Sequence, residues 1–169
     1  MTMSSDHIRR TAVVSEPIDR VWTAISDSQQ FGAWFGAEID GPFVPGSTLA
    51  ARIVPTKVDA EVAKMQEPHA GTAFAIYVEQ VEPKHLLSFR WHPYAVEPKD
   101  YETEPTTLVE FHLSEVPDGT QVLITESGFG GLPPRRRTEA FKSNEGGWEH
   151  QLRLIERYVT APERSEVRD

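Results

Sequence analysis

Glu126 is the residue whose type and place could most directly do chemistry. It ends an alternating run, Val122, Ile124, Glu126, and counting by two puts its carboxylate on the face its apolar neighbours bury. An unpaired charge there costs on the order of several kcal/mol. A carboxylate so placed is a candidate general acid or base; the structural alternative is one paired for stability. Tyr77, Tyr94 and Arg90 are candidate partners, although strand parity turns Tyr77 and Arg90 to the opposite face from their apolar neighbours. Other chemistries find little support. The six histidines show no HxH or HxxxH spacing, and zero cysteines remove disulfides, thiolate catalysis and the usual zinc signatures. His92 and His112 could lie close across neighbouring strands on the outward face, where such a pair reads as solvated. No GxSxG elbow is present, and ESGFGG (126–131) has neither a GxGxxG pattern nor a P-loop lysine. No cofactor and no metal are expected.

The second kind of chemistry is non-covalent. Period-2 alternation brings Phe74, Ile76, Phe89, Trp91, Phe111 and Ile124 to one face of a set of strands. Trp148 and Leu152 would close over them from a helix, with Trp34 and Phe35 at an entrance. Such a hollow binds small apolar or aromatic molecules held by a few polar groups, and these ten residues with Glu126 are the candidate ligand contacts. The alternative for each is simple core filling.

The element that must position them is a helix over 144–159, where Trp148, Leu152, Ile155 and Val159 recur at i, i+4, i+7 and i+11. Phe141 extends the stripe if the helix starts earlier. Gly146 and Gly147 each cost up to about 1 kcal/mol inside a helix. Either the helix begins there, or the pair permits close packing, a bend or a mobile lid. Towards the N-terminus, 7–15 reads as a strand. Pro17 opens an amphipathic helix carrying Ile18, Val21, Trp22 and Ile25, and 26–28 breaks it and caps a second helix carrying Phe31, Trp34 and Phe35. Strands are expected over 37–43, 47–54, 71–81, 85–92, 106–116 and 120–129, with Asp118-Gly119 a hairpin turn. Residues 57–68 read as loop, and 93–105, with three prolines, as a long exposed loop of the kind that carries function.

The 169 residues, 38% hydrophobic and 25% charged, suit one soluble globular domain over 7–160, with flexible termini at 1–6 and 161–169. A net charge of −9 argues against nucleic acid, and Arg135-Arg136-Arg137 reads as a solvated face. No run reaches the roughly 20 apolar residues that span a bilayer, so membrane insertion is not expected. Residues 1–6 show no signal peptide, and the cytoplasm is the expected location.

Three stretches, SEPIDRVW (15–22) with Trp34-Phe35 after it, TESGF (125–129) and NEGGW (144–148), resemble the START / Bet v 1-like (SRPBCC) superfamily. Within it the chain is similar to the branch named after the activator of heat-shock protein 90 ATPase. The resemblance implies an α+β helix-grip fold, a curved antiparallel sheet wrapped around a long C-terminal helix. It also implies a cavity, and so a small-molecule binding protein in preference to an enzyme. A polyketide cyclase or hydrolase-like enzyme using Glu126 is the alternative, and a co-chaperone-like module a further one. The segment with which that co-chaperone binds its chaperone has no counterpart here. A homodimer through an edge strand stays open.

Overall fold

The structure is a computed structural model that describes residues 7–94 and 96–161. The termini expected to be flexible lie outside the described residues, save for Ala161. In chain order the elements are β1 (His7–Val14), α1 (Ile18–Ser26), α2 (Ser28–Phe35), β2 (Ala37–Ile39), β3 (Thr48–Ile53) and α3 (Ala60–Gln66). They continue with β4 (Ala73–Glu82), β5 (Leu86–Trp91), β6 (Thr107–Val116), β7 (Gly119–Ser127) and α4 (Pro134–Thr160). The strands form one seven-stranded antiparallel sheet in the order β1-β7-β6-β5-β4-β3-β2. This curved sheet with α4 laid across it is the helix-grip α+β arrangement.

Local chemistry sets the punctuation. Pro17 supplies the fixed φ of −64° that precedes α1. Asp27 caps α2, accepting from the N–H groups of Gln29 and Gln30 at 2.9 and 3.2 Å. Gly36 ends α2 at φ +97°, a left-handed position that favours glycine. In the β6–β7 hairpin Val116 pairs with Gly119, and Gly119 has φ +141° with Val14 O only 2.1 Å from where a Cβ would sit. Both the backbone and the close approach exclude any other residue there.

Two expectations are corrected by the helices. Residues 57–68 are not loop: Asp59 caps α3, accepting from the N–H groups of Glu61 and Val62 at 2.9 and 3.0 Å. The Val62 N–H above all, with Arg157 nearby, holds the Asp59 carboxyl below the usual carboxylate range. No residue of α3 is buried, so it lacks the apolar periodicity that announces a helix. It is tied down by Gln66, which donates to Phe35 O and accepts from Thr56 N–H.

Helix α4 starts at Pro134, a first-turn proline, and runs unbroken through Gly146 and Gly147. Its apolar face is wider than the expected stripe, since Ala140 and Leu154 are buried beside Trp148, Leu152, Ile155 and Val159. The reason is that α4 touches β1 on one side and α1 and α2 on another. Register also separates His92 from His112: Leu86 faces His112 and Trp91 faces Thr107, at opposite ends of the β5–β6 pair. His92 is buried, not solvated.

Candidate functional site

Alternation along β7 buries Thr120, Val122, Ile124 and Glu126 completely, so the carboxylate does point inward. Its partners are none of the three the sequence suggested. Trp91 Nε1–H donates to Oε2 at 2.8 Å and the Thr107 hydroxyl to the same oxygen at 2.6 Å. Trp148 Nε1–H and Asn144 Nδ2–H donate to Oε1 at 2.7 and 2.9 Å. Meanwhile Tyr94 donates to Glu104 at 3.0 Å, Arg90 pairs with Glu79 at 3.3 Å, and Tyr77 lies edge-on to His92. The indole and amide N–H groups can only donate, and a carboxylate has about four acceptor positions. All four are taken by protein donors from β5, β6 and α4. This makes Glu126 the tie between the sheet and the long helix.

The tie orients two aromatic rings. Trp91 and Trp148 stack at 5.7 Å with 27° between their planes, and Phe35 lies 5.9 and 6.1 Å from them. Directly beneath Trp148 lie packed rings. Phe111 meets it edge-on at 5.7 Å and is itself met edge-on by Phe31 at 5.7 Å. Trp34, held by its Nε1–H to Ala24 O at 2.9 Å, packs 4.6 Å from Phe31. Helix α2 thus turns two large rings into the space between sheet and α4. Trp34, Ile76, Phe89, Phe111, Ile124 and Leu152, expected as ligand contacts, are buried in this packed core.

The free space is displaced to the mouth. A cleft of about 340 Å³, open to solvent, lies between the ends of β4 and β5, the 93–105 loop and the first half of α4. Phe35, Phe74 and Trp91 are its walls, and they are three of the expected contacts. The loop supplies Pro93, Tyr94, Val96 and Tyr101, and α4 supplies Ser143 and Asn144. A second groove of about 200 Å³ shares Phe35, Trp91, Ser143 and Asn144 with the first and continues along α4 past Gly147, Trp148 and Gln151. Among the described residues no Lys, Arg, Asp or Glu lines either.

The loop contacts were missed because the sequence showed its prolines and acids but not what folds it back. That fastener is His92, whose Nε2 lies 3.1 and 3.2 Å from the carbonyls of Tyr101 and Glu104, with the Tyr101 ring stacked 5.3 Å away. Two carbonyl acceptors require a proton on that nitrogen. Tyr94 is steadied by Glu104 and by the Arg136 guanidinium 4.5 Å from its ring centre. Burial first, and then Glu104, push the Tyr94 phenol up, so it stays a neutral donor.

The glycine pair of α4 has no packing reason. A Cβ built on Gly146 or Gly147 meets no atom within 4 Å, and the helix neither starts nor breaks there. Gly147 lines the second groove and Gly146 does not. Either residue replaced by alanine should raise Tm by about 2–4 °C, as differential scanning calorimetry would show. Only Gly147→Ala should also weaken ligand binding, by narrowing the groove. Equal effects of both on binding would contradict this.

A sequence model of the family described as Activator of Hsp90 ATPase homolog 1-like protein matches residues 15–160. No curated protein matches the chain. Among solved structures, one from Mesorhizobium loti is 20% identical with a TM-score of 0.68, covering 92% of this chain and 98% of that one. A protein of the dynemicin biosynthetic locus is 24% identical with a TM-score of 0.65, over 92% of this chain but 48% of its own. The solution structure of the Aha1 dimer from Colwellia psychrerythraea is 15% identical with a TM-score of 0.64, over 92% and 96%. At these identities the likeness is one of fold.

Proposed function

The chain belongs to the Activator of Hsp90 ATPase homolog 1-like family, and from that premise we propose that it is a small-molecule binding protein for an apolar or aromatic ligand. The observation that carries the reading is the aromatic-walled cleft of about 340 Å³ at the end of the sheet, lined among the described residues by no Lys, Arg, Asp or Glu. Its volume falls within the range of ligand sites, and its polar groups (His69, Thr72, His92, Tyr94, Tyr101, Ser143, Asn144) suit orientation more than affinity. The same cleft offers no nucleophile–base pair, and Glu126 has its acceptor positions filled, so catalysis by that residue is the less supported reading.

The ligand differs from the sealed guest expected beneath Trp148. It would lie across the mouth, against Phe35, Phe74 and Trp91. Among the described residues no helix is long and apolar enough to cross a membrane, and a chain without cysteine suits a reducing cytoplasm. The dimeric Aha1 neighbour is the ground for proposing a homodimer, which sedimentation would read.

A thermal-shift and tryptophan-quenching screen of lipids, flavonoids and polyketides tests the binding reading. A ligand at about a hundredfold excess over its Kd should raise Tm by about 5–10 °C and quench tryptophan emission through Trp91 and Trp148. A screen in which no compound stabilises or quenches would remove it.

A further inference from the structure

Two clefts meet at Asn144, and the way its amide is held gives them a chemical preference. Glu126 Oε1 accepts from Nδ2 at 2.9 Å. A carboxylate oxygen facing that position excludes the flipped amide, which would set oxygen against oxygen. The carbonyl oxygen Oδ1 is therefore turned away from the core. Among the described residues it has no hydrogen-bond partner, and it is not one of the buried polar atoms left without one. It is accordingly reachable from outside, on a residue that lines both clefts.

The surroundings add a second preference. Among the described residues the two clefts share only Phe35, Trp91, Ser143 and Asn144, none of them charged; His69 and His92 line the first cleft alone, and Arg136 packs on the Tyr94 ring outside both. The buried carboxylate of Glu126 lies directly behind the amide. An anionic head placed at this junction would meet a negative charge and no compensating one. A neutral donor would meet an oriented carbonyl on a residue that lines both clefts together with Phe35 and Trp91.

We infer that Asn144 is a specificity-determining residue whose Oδ1 accepts from a hydroxyl or N–H of an uncharged, planar aromatic ligand seated at the junction of the two clefts. The inference rests on the binding reading above and narrows it: phenol-like or amide-bearing aromatics are taken, while carboxylates and fatty acids are refused.

Isothermal titration calorimetry of the full chain with 2-naphthol, 2-methoxynaphthalene and 2-naphthoate tests it. The wild type should bind the naphthol about tenfold tighter than the ether, with the naphthoate weakest. In Asn144→Leu the naphthol-to-ether ratio should fall to about one, whatever change in absolute affinity follows from losing one donor to Glu126. The wild-type ranking needs no variant, so a misfolded Asn144→Leu protein would not rescue or hide the inference. Equal binding of naphthol and ether by the wild type, a naphthoate that binds best, or a ratio that survives Asn144→Leu would overturn the Asn144 subsite and leave the binding reading standing. Binding of none of the three would overturn the subsite together with that reading for aromatic ligands.

Discussion

Glu126→Gln should destabilise the protein by about 3 kcal/mol and lower Tm by about 6–12 °C, although the two side chains are nearly the same size. The carboxylate accepts four hydrogen bonds, and two of the four donors are indole N–H groups that cannot reverse roles. A glutamine offers one oxygen and sets an NH₂ group towards the other pair. If that group faces Trp91 and Thr107, the hydroxyl can rotate to accept, but the indole N–H is stranded. If it faces Trp148 and Asn144, the amide can flip, but the buried Trp148 N–H is stranded. Every arrangement orphans one indole donor and removes the charge that strengthened the other bonds. Urea unfolding followed by near-UV circular dichroism reads both the midpoint and the packing of the two tryptophans. A midpoint equal to wild type would show that the carboxylate does not tie β7 to α4. The result also bears on catalysis. A loss of turnover in this variant would not by itself identify a catalytic acid, because the same change loosens the walls of the cleft.

Periodicity made the buried side of the molecule readable and left its rim obscure. Alternation in β4 to β7 and the i, i+4, i+7 stripe of α4 report burial, and burial is what placed Glu126, Phe111 and Trp148 inward. The same signal cannot tell a wall from a filling. Whether Phe111 bounds a hollow or closes one depends on how deeply α2 inserts Phe31 and Trp34. That depth is set by the Trp34–Ala24 hydrogen bond and the short α1–α2 junction, a three-dimensional matter with no period. Helix α3 escaped for the converse reason: it is held by the Asp59 cap and by Gln66 and buries no residue, so composition alone resembled a loop. The cleft wall from 93–105 was visible only as a long loop with two tyrosines. The His92 contacts that fold it inward join one side chain to backbone carbonyls 9 and 12 positions away, which no residue pattern records.

Trp91 separates what the site owes to shape from what it owes to polarity. Its ring is a wall of both clefts and touches Phe35, Phe74, Phe89 and Trp148 at 5.6–6.2 Å, while its N–H serves Glu126. Trp91→Ala removes both, and burial of an aromatic face is worth about 2 kcal/mol, so affinity for an aromatic ligand should fall by roughly 30-fold. Trp91→Phe keeps most of the ring and loses only the donor. Its affinity should fall by less than about fivefold, while stability drops by about 1–2 kcal/mol because Oε2 keeps only the Thr107 hydroxyl. Calorimetric titration should therefore separate the two variants, with affinity lost mainly in the alanine, while urea unfolding shows a loss in both because both lack the donor to Glu126. Equal affinities for the two variants would mean that the ligand does not lie on this ring, and the mouth of the sheet would lose its claim as the binding surface.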